Sequence, residues 1–118
     1  MDALISPLLE TLKHAIPMLV RSAPSTGDYL EGVLSRQDLA RCTALLSEAL
    51  GPAAKDFGQS PKLEPQLQRA IDARGGIRRE QCLYVKPIAS GQAGYAALWP
   101  WASDPTRITL KVGIFQLQ

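Results

Sequence analysis

One histidine and two cysteines are all the chain offers of the side chains that most often bind transition metals or attack as nucleophiles. A zinc site normally takes at least three protein ligands. His14, with Glu10 four residues before it on the same helix face, supplies two. Cys42 and Cys82 lie far from them in sequence, and no spacing requires the four to meet. No metal and no other cofactor is therefore expected. A single cysteine pair is also no disulfide scaffold, which fits a reduced, cytoplasmic setting.

Long apolar runs are missing as well. No stretch approaches the ~20 residues that span a bilayer. The first residues carry no basic run, and Pro7, Glu10, Lys13, His14 and Pro17 interrupt any leader-like segment. Lys13 and Arg21 are too few for a basic amphipathic face, so no membrane partner is expected. The glycines form neither a Walker loop nor a G-x-G-x-x-G turn after a strand. The gap between the two C-terminal helical stretches is too long for a helix-turn-helix.

What remains is ordinary globular composition: 118 residues, 46% hydrophobic and 20% charged, with a formal net charge of +2. One domain over residues 1–118 is expected, helical to about 75 and β-rich from 81. The charge is uneven. Residues 1–64 hold six basic and eight acidic side chains, whereas residues 65–118 hold seven and three. The basic half also carries Tyr84, Tyr95, Trp99, Trp101 and Phe115, five of the seven aromatics.

Helical signals dominate the first half. Ser6-Pro7 reads as a cap and first helical residue, ahead of Leu8, Leu9, Leu12, Ala15 and Ile16 on one face. Pro17 is expected to kink this helix, with "MLVRSA" continuing it. "DYLEGVL" places Tyr29, Leu30, Val33 and Leu34 at helical spacing around Gly32, a weak helix. Ser35 and Asp38 form a capping-box-like pair. The helix after them carries Leu39, Cys42, Leu46, Ala49 and Leu50 inward and stops at Gly51-Pro52. A further helix starts near Pro65, with Leu67, Ala70 and Ile71 inward, and breaks at Gly75-Gly76.

From residue 81 the period becomes two. "QCLYVKPI", "GYAALWPW" and "TRITLKVGIFQL" read as strands with short links, hence an antiparallel three-stranded meander. The expected fold is α+β, with about three N-terminal helices packed on one face of that meander.

Alternation puts Tyr95, Ala97, Trp99 and Trp101 on one face of the middle strand and Ala96, Leu98 and Pro100 on the other. Both faces are apolar. Pro100 cannot donate to a ladder and belongs at an edge, bulge or strand end. The tryptophans then either close the core margin or form a surface for a partner, another protein or a second copy. The first functional expectation is a non-catalytic protein-binding module. Tyr95, Trp99, Trp101, Arg107 and Lys111 form its contact surface, the cations steering an acidic partner.

The second expectation is nucleic-acid or anion binding through Arg74, Arg78, Arg79 and Lys86, with aromatic stacking. The third is a small enzyme with a cysteine nucleophile. Cys82 suits that role better than Cys42, because it follows the basic "RGGIRRE". No catalytic residue is assigned.

Overall fold

The computed structural model describes residues 5–21, 29–59, 63, 65–73, 76–89 and 91–116. The elements are helix α1 (Ile5–Ala15), strand β1 (Met18–Val20), strand β2 (Leu30–Ser35), a 3₁₀ turn (Arg36–Asp38), helix α2 (Leu39–Leu50), helix α3 (Pro65–Asp72), and strands β3 (Cys82–Ala89), β4 (Gln92–Pro100) and β5 (Arg107–Gln116). The five strands form one sheet in the order β1-β2-β5-β4-β3, with every neighbouring pair antiparallel.

The expected three-stranded meander is thus too small. Its strands β3, β4 and β5 pair in sequence order, but β2 and β1 extend the sheet beyond β5. Two stretches read as helix are strands. Helix α1 ends at Ala15, just ahead of Pro17, instead of kinking there and continuing. Its last helical bond runs from Ile16 N–H to Leu12 C=O at 2.9 Å. Proline has no N–H to continue and disfavours helical angles at Ile16. Helix α1 also begins at Ile5, one residue ahead of the expected Ser6 cap.

"LEGVLS" forms β2 because β5 offers it a ladder of six paired positions, Leu30 with Val112 through Ser35 with Arg107. Leu30, Val33 and Leu34 sit at helical spacing, yet Gly32 weakens a helix there by about 1 kcal/mol. Long-range pairing then decides the conformation.

Even-numbered strand positions face α1 and α2. Leu34, Tyr84, Ala96, Leu98, Ile108, Leu110 and Val112 pack there against Ile5, Leu8, Leu9 and Leu12 of α1 and Cys42, Leu46 and Leu50 of α2. Each such aliphatic side chain contributes roughly 1.5–3 kcal/mol on burial. Ser35 Oγ accepts from Gln37 N–H at 3.3 Å and caps the 3₁₀ turn that leads into α2. Gly51 closes α2 with φ +85°, a conformation glycine adopts without strain. Arg41 of α2 donates to the Ala15 carbonyl at 3.1 Å and so ties the end of α1 to α2.

The third helix does not join them. Odd-numbered positions Leu83, Ala93, Tyr95 and Ala97 form a second cluster with Ile71, and Leu63, Leu67, Ile77, Val85 and Trp99 pack against it. Helix α3 therefore covers the opposite face, over β3 and β4. The expectation of all helices on one side is overturned by the two-sided apolar strand β4, whose second face needs its own cover.

Candidate functional site

On the α3 side the sheet is only partly covered, and the uncovered part is a groove of about 1180 Å³. Strand register builds its floor. Leu83, Ala97, Lys111 and Glu31 lie in one cross-strand row, extended by Arg21, whose N–H donates to the Glu31 carbonyl at 2.7 Å. The next row is Trp99, Thr109, Val33 and Leu19. Ile71, Ile77 and Arg78 form one wall, and Trp101 stands at the other side. Gly113 lets the Tyr29 and Tyr95 rings lie close against β5, because a Cβ there would come within 3.0 Å of the Tyr29 ring and 3.2 Å of Tyr95.

The two tryptophans are half-buried and held differently. Trp99 packs against the α3 cluster, and the Lys111 ammonium lies 5.0 Å from its ring centre. Trp101 follows Pro100, the last residue of β4, so the proline sits at a strand end. Its indole N–H donates to Thr109 Oγ1 at 2.7 Å, folding the ring over the sheet and leaving Thr109 only 5% exposed. The guanidinium groups of Arg107 and Arg21 lie 5.6 and 5.9 Å from the Trp101 ring centre. Such cation–π contacts contribute about 0.5–1 kcal/mol each when exposed. Arg107 is also paired with Asp104 at 3.3 Å. The Asp104 carboxyl is held below its usual range by Thr106, which donates from both its hydroxyl and its N–H, and by Arg107.

The wall beyond α3 is fixed from behind by a buried lysine. Lys55 is 1% exposed, and its ammonium donates to the carbonyls of Arg79 and Gln81. Backbone bonds join the same two segments: Leu83 N–H to Lys55 C=O and Ala54 N–H to Leu83 C=O, both 2.8 Å. Arg79 Nε adds a bond to the Gly58 carbonyl at 3.0 Å. The lysine pKa is lowered, chiefly by desolvation. The turn carrying Arg78, Glu80 and Gln81 is thereby pinned against β3.

The residues singled out for protein contact are thus gathered on one face, with different exposure. Trp99, Trp101 and Lys111 line the groove, and Arg107 lies beside the Trp101 ring. Tyr95 is buried in the α3 cluster and lends only part of its ring to the lining. The residues singled out for anions are dispersed. Arg78 lines the groove, Arg79 is engaged with Gly58, and Lys86 shares the alternate face of β3 with Cys82 and Tyr84. Arg74, with Gly75, lies outside the described residues.

Both thiols are on the far side of the sheet and inside the core. Burial pushes Cys42 up to about 12 and Cys82 up to about 11. The Asp56 carboxylate, 3.9 Å from the Cys82 sulfur, adds to the second shift. A hydrogen bond with Tyr84 and the Lys55 ammonium lower it in part, while Arg79 of the preceding basic run is turned to Gly58. His14 is exposed on α1, and Glu10 pairs with Lys13 at 2.8 Å. Among the described residues no three metal-ligating side chains cluster, and no helix is long and apolar enough to cross a membrane.

Arg21, Tyr29, Glu31 and Thr109 were not singled out by sequence. The first three fall in stretches read as helix or loop, and Thr109, on the polar face of the last strand with Arg107 and Lys111, carries no signal of its own. No family model, no curated protein and no solved structure matches the chain.

Proposed function

We propose that the protein is a non-catalytic binding module that holds an extended, acidic segment of another protein in the groove over β2, β5 and β4. The observation that carries this reading is the pairing of aromatic rings with cations along the groove: Trp99 with Lys111, and Trp101 with Arg21 and Arg107. Carboxylates of a partner would draw on those cations while its apolar side chains pack beside the indoles. Tryptophan and arginine are the residues that most often dominate binding energy in interfaces.

Shape supports an extended segment, since the lining runs across the sheet from Leu83 of β3 through Ala97 and Lys111 to Glu31 and Arg21. Charge supports an acidic one. Arg21, Arg78 and Lys111 line the groove against Glu31 and Glu80, a small positive excess, and Arg107 lies beside Trp101 with Asp104 as its partner. The ring–cation contacts also weigh against nucleotide stacking, which needs open aromatic faces.

The test is selection of short segments from a random display library on the wild-type protein and on a Trp99→Ala, Lys111→Glu variant. The expected result is enrichment of sequences mixing Asp or Glu with apolar residues, lost on the variant. Enrichment that survives the substitutions, or none at all, would overturn the reading.

A further inference from the structure

The two edges of the sheet are finished differently. Along β3 the edge is closed at Leu83 by the bridge to Lys55, and further on it carries Lys86, Pro87 and an irregular register between Pro87 and Ala89. Charge, proline and bulges are the usual ways of blocking strand addition. β1 is short, three residues between Pro17 and Arg21, but carries no charge, proline or bulge within the strand. Its residues Leu19 and Val20 are 64% and 43% exposed, and they are the exposed large hydrophobic side chains among the described residues.

We propose that the protein pairs with a second copy of itself through β1, antiparallel, in the register that sets Leu19 opposite the partner's Leu19. Hydrogen-bond parity selects this register. Arg21 donates to Glu31, so Arg21 and Leu19 turn their backbone groups toward β2, whereas those of Met18 and Val20 point outward. No backbone group among the described residues bonds to them there. Centring the pair on Leu19 brings each Met18 opposite the partner's Val20, so four outward groups on each strand meet complementary ones. The two Leu19 then form a non-hydrogen-bonded pair, where side chains approach most closely.

Side chains agree with the backbone. Apolar meets apolar on both faces, Leu19 on the groove side and Met18 with Val20 on the α1 side. Arg21 falls opposite the partner's Pro17 instead of a second arginine, so no like charges face each other. Pro17 has the inward parity of Leu19, and its missing N–H removes no donor from the seam. An isologous contact of this kind closes on itself as a dimer. It makes one ten-stranded sheet with both groove faces on the same side. The pairing is independent of what the groove binds.

Two variants test it. Val20→Pro removes an outward donor and no bond to β2. It is expected to turn a concentration-dependent dimer, seen by sedimentation equilibrium, into a monomer with unchanged circular dichroism. Leu19→Cys is expected to form an intermolecular disulfide on oxidation with diamide. Arg21→Cys is not, because the two positions would lie about 13 Å apart along the strands, beyond the ~7 Å limit for a disulfide. A wild-type protein that stays monomeric up to millimolar concentration would overturn the proposal. So would a dimer indifferent to Val20→Pro, or cross-linking of Arg21→Cys as fast as Leu19→Cys.

Discussion

Leu110 and Thr109 are neighbours in β5, both buried, and they serve opposite faces of one sheet. Leu110 points into a dry core closed by α1 and α2, where apolar side chains meet and the polar groups present are thiols and Tyr84. Thr109 points to the groove side, where its hydroxyl holds the Trp101 indole and where aromatic rings alternate with cations. The first face is finished by packing. The second is covered by α3 over β3 and β4 and left open over β2 and β5. On the proposed function, stability and binding are therefore separable along a single strand, which gives substitutions on the two faces different signatures.

The largest effect is expected on the dry face. Leu110→Ala should lose about 2–5 kcal/mol in urea unfolding, the usual cost of a buried leucine truncated in a core that cannot collapse around it. Segment affinity of the folded fraction should stay unchanged. Lys55→Met comes next, at about 1–3 kcal/mol, because the carbonyls of Arg79 and Gln81 lose their donor. It should also weaken segment binding, since the wall carrying Arg78 is freed. Binding unaffected by Lys55→Met would separate that wall from the site.

Thr109→Val should cost about 1 kcal/mol, one hydrogen bond. The Trp101 indole should then be released, read as a red shift in tryptophan emission. The smallest effect is expected from the thiols near neutral pH, where neither reacts appreciably with iodoacetamide until the protein unfolds. Their folded pKa values lie above the ordinary 9.0. The stability they contribute is whole below pH 9.0 and is lost as pH rises through about 11 and about 12. Lys55 acts in the opposite sense. Its lowered pKa makes deprotonation favour the fold as pH climbs toward 10.5. Cys42→Ala should flatten the alkaline loss measured by urea midpoints, and Lys55→Met should steepen it.

Local signals were legible where the chain decides its own conformation. The alternation of Ile108, Leu110 and Val112 with Arg107, Thr109 and Lys111 marked β5, and Gly51-Pro52 marked the end of α2. Residues 18–20 and 30–35 carry no such signal. β1 is three residues long, and the apolar positions of β2 suit either period, so pairing decides them, β2 with β5 more than 70 residues away and β1 with β2. The side of the sheet a helix covers is likewise absent from its own periodicity. It was written instead in β4, where Tyr95, Ala97 and Trp99 made a second apolar face that α3 had to cover. Trp99, Trp101, Arg107 and Lys111 were legible as one surface by alternation alone. Arg21, Tyr29 and Glu31 reach that surface only through β1 and β2.

The most direct test of the two-face account is a backbone and indole amide NMR titration of the wild-type protein with a segment enriched in the display selection. Shifts are expected at the Trp99 and Trp101 indoles, at Glu31, Thr109 and Lys111, and in the turn around Arg78, while α1, α2 and their buried contacts stay silent. Shifts centred on α1 or α2, with silent indoles, would contradict the account.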